Sequence, residues 1–197
     1  GHETSASALT WGLYLLSCCP EIQQNIHQEV ENIFTNRKSE DFKYEDIRNL
    51  NYTRAVFNEV LRLYPPVGFF QREAAQNKKI RDKNIRAGDS VIISPWLMQR
   101  HREYWENPDE FCPQRFSDGN DNNSNDKEAI KSSYIPFGMG RRICIGKGFA
   151  MQEAILILAA IVKNFEIENI VGQTPEPVGR VTIRPEKQII LKISERH

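Results

Sequence analysis

The stretch that most constrains this chain is an apolar run, residues 147–165, entered directly from a glycine-rich loop, Phe137-Gly138-Met139-Gly140-Arg141-Arg142-Ile143-Cys144-Ile145-Gly146. Its most apolar part, residues 154–162, is about half of what a membrane-spanning helix needs. It therefore reads as a helix buried on nearly all sides in a packed core. The loop places Cys144 just ahead of that helix, at the positive end of the macrodipole, where a thiolate is favoured over a thiol. A thiolate binds metal and is an axial ligand of haem iron. Glycines such as Gly138 and Gly146 let the backbone pass close under a flat cofactor where a Cβ would collide. Phe137 can cover the sulfur, and Arg142 suits a carboxylate such as a haem propionate.

Two plainer readings compete. One cysteine among four can be merely a small apolar core residue, and a glycine-rich loop before a helix can cradle phosphate. Spacing disposes of the phosphate reading. A dinucleotide fingerprint starting at Gly138 needs a small residue where Ile143 stands. A nucleotide P-loop needs glycine at Arg141 and a hydroxyl at Gly148.

Twenty-six basic and twenty-six acidic side chains cancel, so nothing global draws the chain to nucleic acid or anionic lipid. Cys18, Cys19, Cys112 and Cys144 form no C-x-x-C pair, and adjacent Cys18 and Cys19 are poorly placed to bridge. A reducing compartment without structural zinc follows. Residues 2–18 are expected to be helical, with Leu9, Leu13 and Leu16 on one face. Pro20 suits the first position of a second helix carrying Ile22, Ile26 and Val30. A third helix spans residues 52–63 and ends before Pro65-Pro66. Short strands are expected at residues 78–80, Ile85 and 91–94, with a turn at Ala87-Gly88-Asp89, followed by a polar loop over residues 117–126. Residues 181–183 and 189–193 are expected to form a hairpin around Arg184-Pro185-Glu186-Lys187. The fold class is mainly α with small β elements.

The loop closely resembles the haem-ligand segment of the cytochrome P450 family, F-x-x-G-x-R-x-C-x-G, matched at Phe137, Gly140, Arg142, Cys144 and Gly146. Glu59 and Arg62, three apart on the third helix, taken alone form an ordinary exposed pair. They resemble that family's E-x-x-R motif, and Pro113-Gln114-Arg115-Phe116 resembles its P-x-R-F segment. The resemblance implies that Arg115 joins Glu59 and Arg62 in a buried structural triad. Gly1-His2-Glu3-Thr4-Ser5 resembles the oxygen-binding helix motif with its first position missing. A Thr4 hydroxyl bonded back to the preceding turn can open a kink for dioxygen, and Glu3 can pass protons inward. The plainer reading of Glu3 and Thr4 is helix capping. The resemblance also implies a propionate contact for Arg72, and packing roles for Trp105 and Phe111. His2 and His101 read as solvated or hydrogen-bonded.

What the resemblance implies is the carboxy-terminal part of the cytochrome P450 fold: residues 1–197 as a partial domain, its amino-terminal half absent, and inactive alone. The cofactor would be haem b held by Cys144 as sole protein ligand to iron. The partners would be dioxygen, an apolar small molecule and an electron-donor protein, ferredoxin or flavoprotein reductase. Arg141, Lys147 and Lys163 would offer that donor a positive face, a solvated helix face being the alternative. Residues 67–70, with Phe69 and Phe70, and 177–181 would line the substrate pocket. Localisation would be cytoplasmic in a bacterium, or at a membrane through an amino-terminal anchor in a eukaryote. The reaction would insert one oxygen atom into a C–H bond. The alternatives are a haem-thiolate isomerase or peroxygenase, and a haem-binding remnant without turnover.

Overall fold

A computed structural model describes residues 1–35, 37, 41–117, 130 and 133–196; most of the expected polar loop, residues 118–126, lies outside them. Among the described residues, the helices α1 (His2–Cys18), α2 (Pro20–Phe34), α3 (Asn51–Leu63), α4 (Pro95–Met98) and α5 (Lys147–Asn164) occur with short strands. The strands are β1 (Phe70–Glu73), β2 (Lys78–Ile80), β3 (Lys83–Ile85), β4 (Ser90–Ile93), β5 (Phe165–Asn169), β6 (Pro177–Gly179), β7 (Ile183–Pro185) and β8 (Leu191–Glu195). They pair antiparallel in four two-stranded ribbons, β1–β4, β2–β3, β5–β8 and β6–β7.

Four long helices make the core, each of α1, α2, α3 and α5 touching the other three. Pro20 opens α2, where its missing N–H costs no hydrogen bond, and Ile22, Ile26 and Val30 are buried as their spacing predicts. The α1 face differs from expectation. Leu16 is buried and Leu9 and Leu13 only half so, while Ala8, Trp11 and Leu15 carry the core. The indole decides this: Trp11 stacks on Tyr64 with ring centres 3.8 Å apart, and its Nε1 donates to the carbonyl of Ile183 at 3.4 Å. Helix α5 is also less enclosed than its composition suggests. Ala154, Ile155, Leu158, Ala159 and Val162 form one buried stripe, and Leu156, Ile157 and Ile161 are half-buried.

The expected terminal hairpin does not form. Ile183–Pro185 pairs with Pro177–Gly179, and Leu191–Glu195 pairs with Phe165–Asn169, placing Ile167 opposite Ile193. Residues 165–169 run out of α5 as a strand; the sequence pattern places Phe165 in the helical run and assigns no strand to 166–169, so the true partner of residues 191–195 is missing from it. Gln23 on α2 fixes this ribbon: its side chain donates to the Ile167 carbonyl (3.0 Å) and accepts the Ile167 N–H (2.8 Å). Both amide ends of a buried glutamine are thereby satisfied.

Beneath the helices lies a buried ionic cluster. The Glu59 carboxylate accepts from Arg62 Nε at 2.7 Å and Nη2 at 2.8 Å and from the Cys112 N–H at 3.0 Å, and it forms an ion pair with Arg115, Nε lying 3.4 Å away. The remaining Arg62 donors reach the carbonyls of Gln99, Pro108 and Glu110 at 2.7–2.9 Å. The guanidinium also lies 5.1 Å from the Trp105 ring centre. Burial pushes the Glu59 carboxyl up, and the hydrogen bonds and charge of Arg62 pull the other way. Removing the carboxylate leaves Arg62 charged and buried, so Glu59→Ala should lose about 3–5 kcal/mol. Denaturant unfolding, or a failure to accumulate as folded protein, will show it; a loss under about 1 kcal/mol would mean a surface-like pair.

Gly12 sits where α1 crosses α3 and α5. A Cβ there would meet Val60 at 3.6 Å and Leu158 at 3.8 Å, ordinary van der Waals distances. Gly12→Ala should therefore stabilise the protein by about 0.5–1 kcal/mol, mainly by restricting the unfolded chain. A lowered melting temperature would show that the crossing has no room for the methyl.

Candidate active site

The sequence leading into α5 builds the site. Gly138 and Gly140 have φ of +71° and +67°, a region that costs an L-residue about 1–2 kcal/mol. The loop turns sharply there and returns so that the Cys144 N–H donates to the Phe137 carbonyl at 2.9 Å. The Lys147 N–H at the start of α5 donates to the Cys144 carbonyl at 3.3 Å. The thiol is thus held by its own backbone on both sides, just ahead of the helix N-terminus, and is exposed.

Cys144 opens onto a cavity of about 460 Å³. The loop supplies Phe137, Gly138, Arg142 and Gly146; α1 supplies His2, Thr4, Ser5 and Ala8; Phe57 and Leu61 come from α3. Pro66, Val67, Phe70 and Arg72 close another side, and Phe149, Ala150 and Glu153 project from the first turns of α5. The Thr4 hydroxyl donates to the Gly1 carbonyl at 3.1 Å, the backward bond expected of it. Arg72 lies 4.8 Å from the centre of the Phe70 ring and donates to the Gln71 carbonyl.

Seven of the eight residues singled out from sequence therefore share one cavity: Thr4, Arg72, Phe137, Gly138, Arg142, Cys144 and Gly146. Glu3 does not line it. Its carboxylate accepts from Arg184 Nη2 at 2.5 Å and from Thr182 Oγ1 at 3.4 Å, both on the β6–β7 hairpin. One helical position separates Thr4 from Glu3, about 100° of rotation, which is enough to turn the second side chain away. Phe69 also departs from expectation. It is 61% exposed and lines a separate groove of about 590 Å³ with Trp96, Leu97 and Val181, while Phe70 faces the cysteine cavity. Alternation along an extended segment sends neighbours to opposite sides. Lys163 stands at the far end of α5, about 24 Å from Lys147 at 1.5 Å per residue, with its ammonium 4.2 Å from the Phe34 ring centre. Of Arg141, Lys147 and Lys163, the first two stand within three residues of Cys144 and Lys163 does not.

Phe149, Ala150 and Glu153 were missed by sequence reasoning. Their spacing from Gly146 is i+3, i+4 and i+7, a helical stripe distinct from the core stripe of the same helix. Reading α5 as buried all round hid it.

The residues present fit one kind of occupant. A single exposed thiol, two guanidiniums and otherwise mostly apolar walls match a flat apolar macrocycle bearing carboxylates and a metal that accepts sulfur. Phe149 lines the cavity yet is 70% exposed, leaving a large apolar side chain with nothing against it. Another cavity, of about 750 Å³ and lined by Asn25, Glu29, Arg37 and Tyr52, offers no thiol.

Comparison with known proteins agrees. The family model described as Cytochrome P450 matches residues 1–193. Cytochrome P450 4V2 of Pongo abelii is 34% identical over 199 residues, covering 100% of this chain and 36% of its own length. Cyclooctatin synthase of Streptomyces melanosporofaciens is 36% identical over 191 residues, covering 96% of this chain and 40% of the relative. The crystal structure of a cytochrome P450, CYP102L1, superposes with a TM-score of 0.87 at 30% identity, covering all of this chain and 43% of that one. The chain thus spans well under half the length of the proteins it matches.

Proposed function

Because the chain belongs to the cytochrome P450 family, we propose that it carries the cofactor-binding face of a haem-thiolate monooxygenase acting on an apolar organic substrate. The observation that carries this reading is the exposed Cys144 sulfur facing a mostly apolar cavity flanked by Arg72 and Arg142. Haem b, when bound, supplies dioxygen activation and oxygen insertion into a C–H bond, with electrons from a partner protein; the protein positions and excludes.

Each residue then has a defined task. Cys144 holds the metal through sulfur, and its loop hydrogen bonds fix where that sulfur points. Arg72 and Arg142 bind carboxylates by charge-assisted hydrogen bonds. Phe137 and Phe149 cover apolar surface and exclude water. Thr4 Oγ1, tethered to the Gly1 carbonyl, presents a hydroxyl to the cavity from the first turn of α1. Glu3, about half-exposed and outside the cavity, ties the first turn of α1 to the β6–β7 hairpin through Arg184. Arg141 and Lys147, both exposed, meet an acidic face of the electron donor, ferredoxin or flavoprotein reductase. Localisation follows the donor: cytoplasm in a bacterium, a membrane surface in a eukaryote.

Two measurements test the reading. The reduced carbonyl complex of the holoprotein should show the strongly red-shifted Soret band of a thiolate ligand. Cys144→His should lose the shift while retaining pigment, and an unchanged band would remove Cys144 as ligand. Thr4→Ala should leave the substrate-induced spectral change nearly intact while diverting reducing equivalents to hydrogen peroxide. An unaltered ratio of product to NAD(P)H consumed would remove Thr4 from proton delivery.

A further inference from the structure

A haem-thiolate monooxygenase that puts one atom of dioxygen into a C–H bond releases the other as water. That water takes up two electrons from the donor and two protons from solvent, so the Cys144 cavity needs a proton route. Glu3 does not supply it, because its carboxylate is held by Arg184 and Thr182 outside the cavity. Helical geometry shows which side chains are better placed. At about 100° per residue, Thr4 and Ser5 lie about 40° and about 60° from Ala8 around α1, and Glu3 about 140°. Thr4, Ser5 and Ala8 all line the cavity, and so does His2.

Glu3 and Thr4 are neighbours in sequence, and side chains one position apart on a helix do not face each other. His2 and Ser5 are three apart, and such side chains do. Exposure falls along this face: His2 is exposed, Thr4 and Ser5 are half-buried, and Ala8 is buried. The row therefore leads from solvent into the cavity. Neither the His2 ring nor the Ser5 hydroxyl has a hydrogen-bond partner among the described residues. Thr4 differs, because its hydroxyl proton is committed to the Gly1 carbonyl at 3.1 Å. It keeps lone pairs that accept but has no proton to hand on, whereas Ser5 keeps both.

Imidazole is the side chain that exchanges a proton with water near neutrality, and its two nitrogens let it take one proton while releasing another. The other charged or titratable groups on this cavity are Arg72, Arg142, Cys144 and Glu153. Arg72 belongs to β1, and the other three to α5 or the loop ahead of it, so none stands on the α1 face. We propose, on the haem-thiolate reading, that His2 and Ser5 are the proton entry of the cavity. His2 takes a proton from bulk water at the rim and gives one to Ser5 Oγ, which releases its own proton inward to water hydrogen-bonded to Thr4 Oγ1. Only N–H and O–H bonds form and break, and each group returns to its starting state after every proton.

Two readouts on the holoprotein test this: the ratio of product to NAD(P)H consumed, and the C–O stretching frequency of the reduced carbon monoxide complex. His2→Gln and Ser5→Ala should each lower the ratio several-fold, with hydrogen peroxide making up the difference. The double variant should be no worse than the stronger single one, because both act on one path. Glu3→Gln should leave the ratio nearly unchanged. In the wild type the C–O stretch should move to lower frequency as pH falls from about 8 to about 5, as positive charge gathers on imidazole and draws electron density toward the bound oxygen atom. That movement should vanish in His2→Gln and persist in Glu3→Gln and Glu153→Gln. With the thiolate Soret band present, an unaltered ratio in His2→Gln or in Ser5→Ala, or a pH-dependent stretch that survives His2→Gln, would overturn the relay and leave the haem reading standing. Absence of that band in the wild type would overturn both.

Discussion

Arg62 is the side chain on which the arrangement rests. A guanidinium has five N–H donors, and here all five are used: two on Glu59 and three on the carbonyls of Gln99, Pro108 and Glu110. Those carbonyls belong to a segment with little regular structure and few backbone partners of its own. A single helical residue thus orders the chain across nearly fifty positions of sequence. Burying such a cluster is expensive unless every donor is met, so it tolerates only one arrangement of that segment.

The order passes onward through Gln99. Its side-chain amide donates to the carbonyls of Leu61 and Arg62, which the end of α3 leaves free, and its oxygen accepts the Ile135 N–H at 2.9 Å. Ile135 lies two residues before Phe137, where the cysteine loop begins. A continuous run of buried hydrogen bonds therefore connects the ionic cluster to the loop that aims the sulfur. Cluster and loop, separated widely in sequence, act as one positioning device.

Much of this was legible in the sequence because the signals were local. Pro20, the double proline after α3, the E-x-x-R spacing and the glycine pattern before Cys144 each act within a turn of where they stand. What stayed hidden depended on pairing at a distance. Strand β5 alternates only over Phe165-Glu166-Ile167-Glu168 and follows α5 with no glycine or proline to mark the break, and β6 contains a proline and a glycine. Their partners were consequently misassigned. The direction of Glu3 depended on Arg184, whose position is set by that same unforeseen β6–β7 pairing. Trp11 was missed as a core residue because its face is chosen by Tyr64, just past the end of another helix.

Helix α5 passes into β5 with no connecting loop: Asn164 is its last residue, and Phe165 already has extended backbone angles, φ −133° and ψ 147°. At 1.5 Å per residue the helix is about 27 Å long, with the thiol at one end and the β5–β8 ribbon, clamped by Gln23, at the other. The packed stripe from Ala154 to Val162 holds this rod against the core. The terminal ribbon and Gly146, beside the sulfur, are thus the two ends of one packed element. The helix end that carries the Cys144 loop is in this way tied, through one continuous rod, to a glutamine on a different helix, a full helix length away.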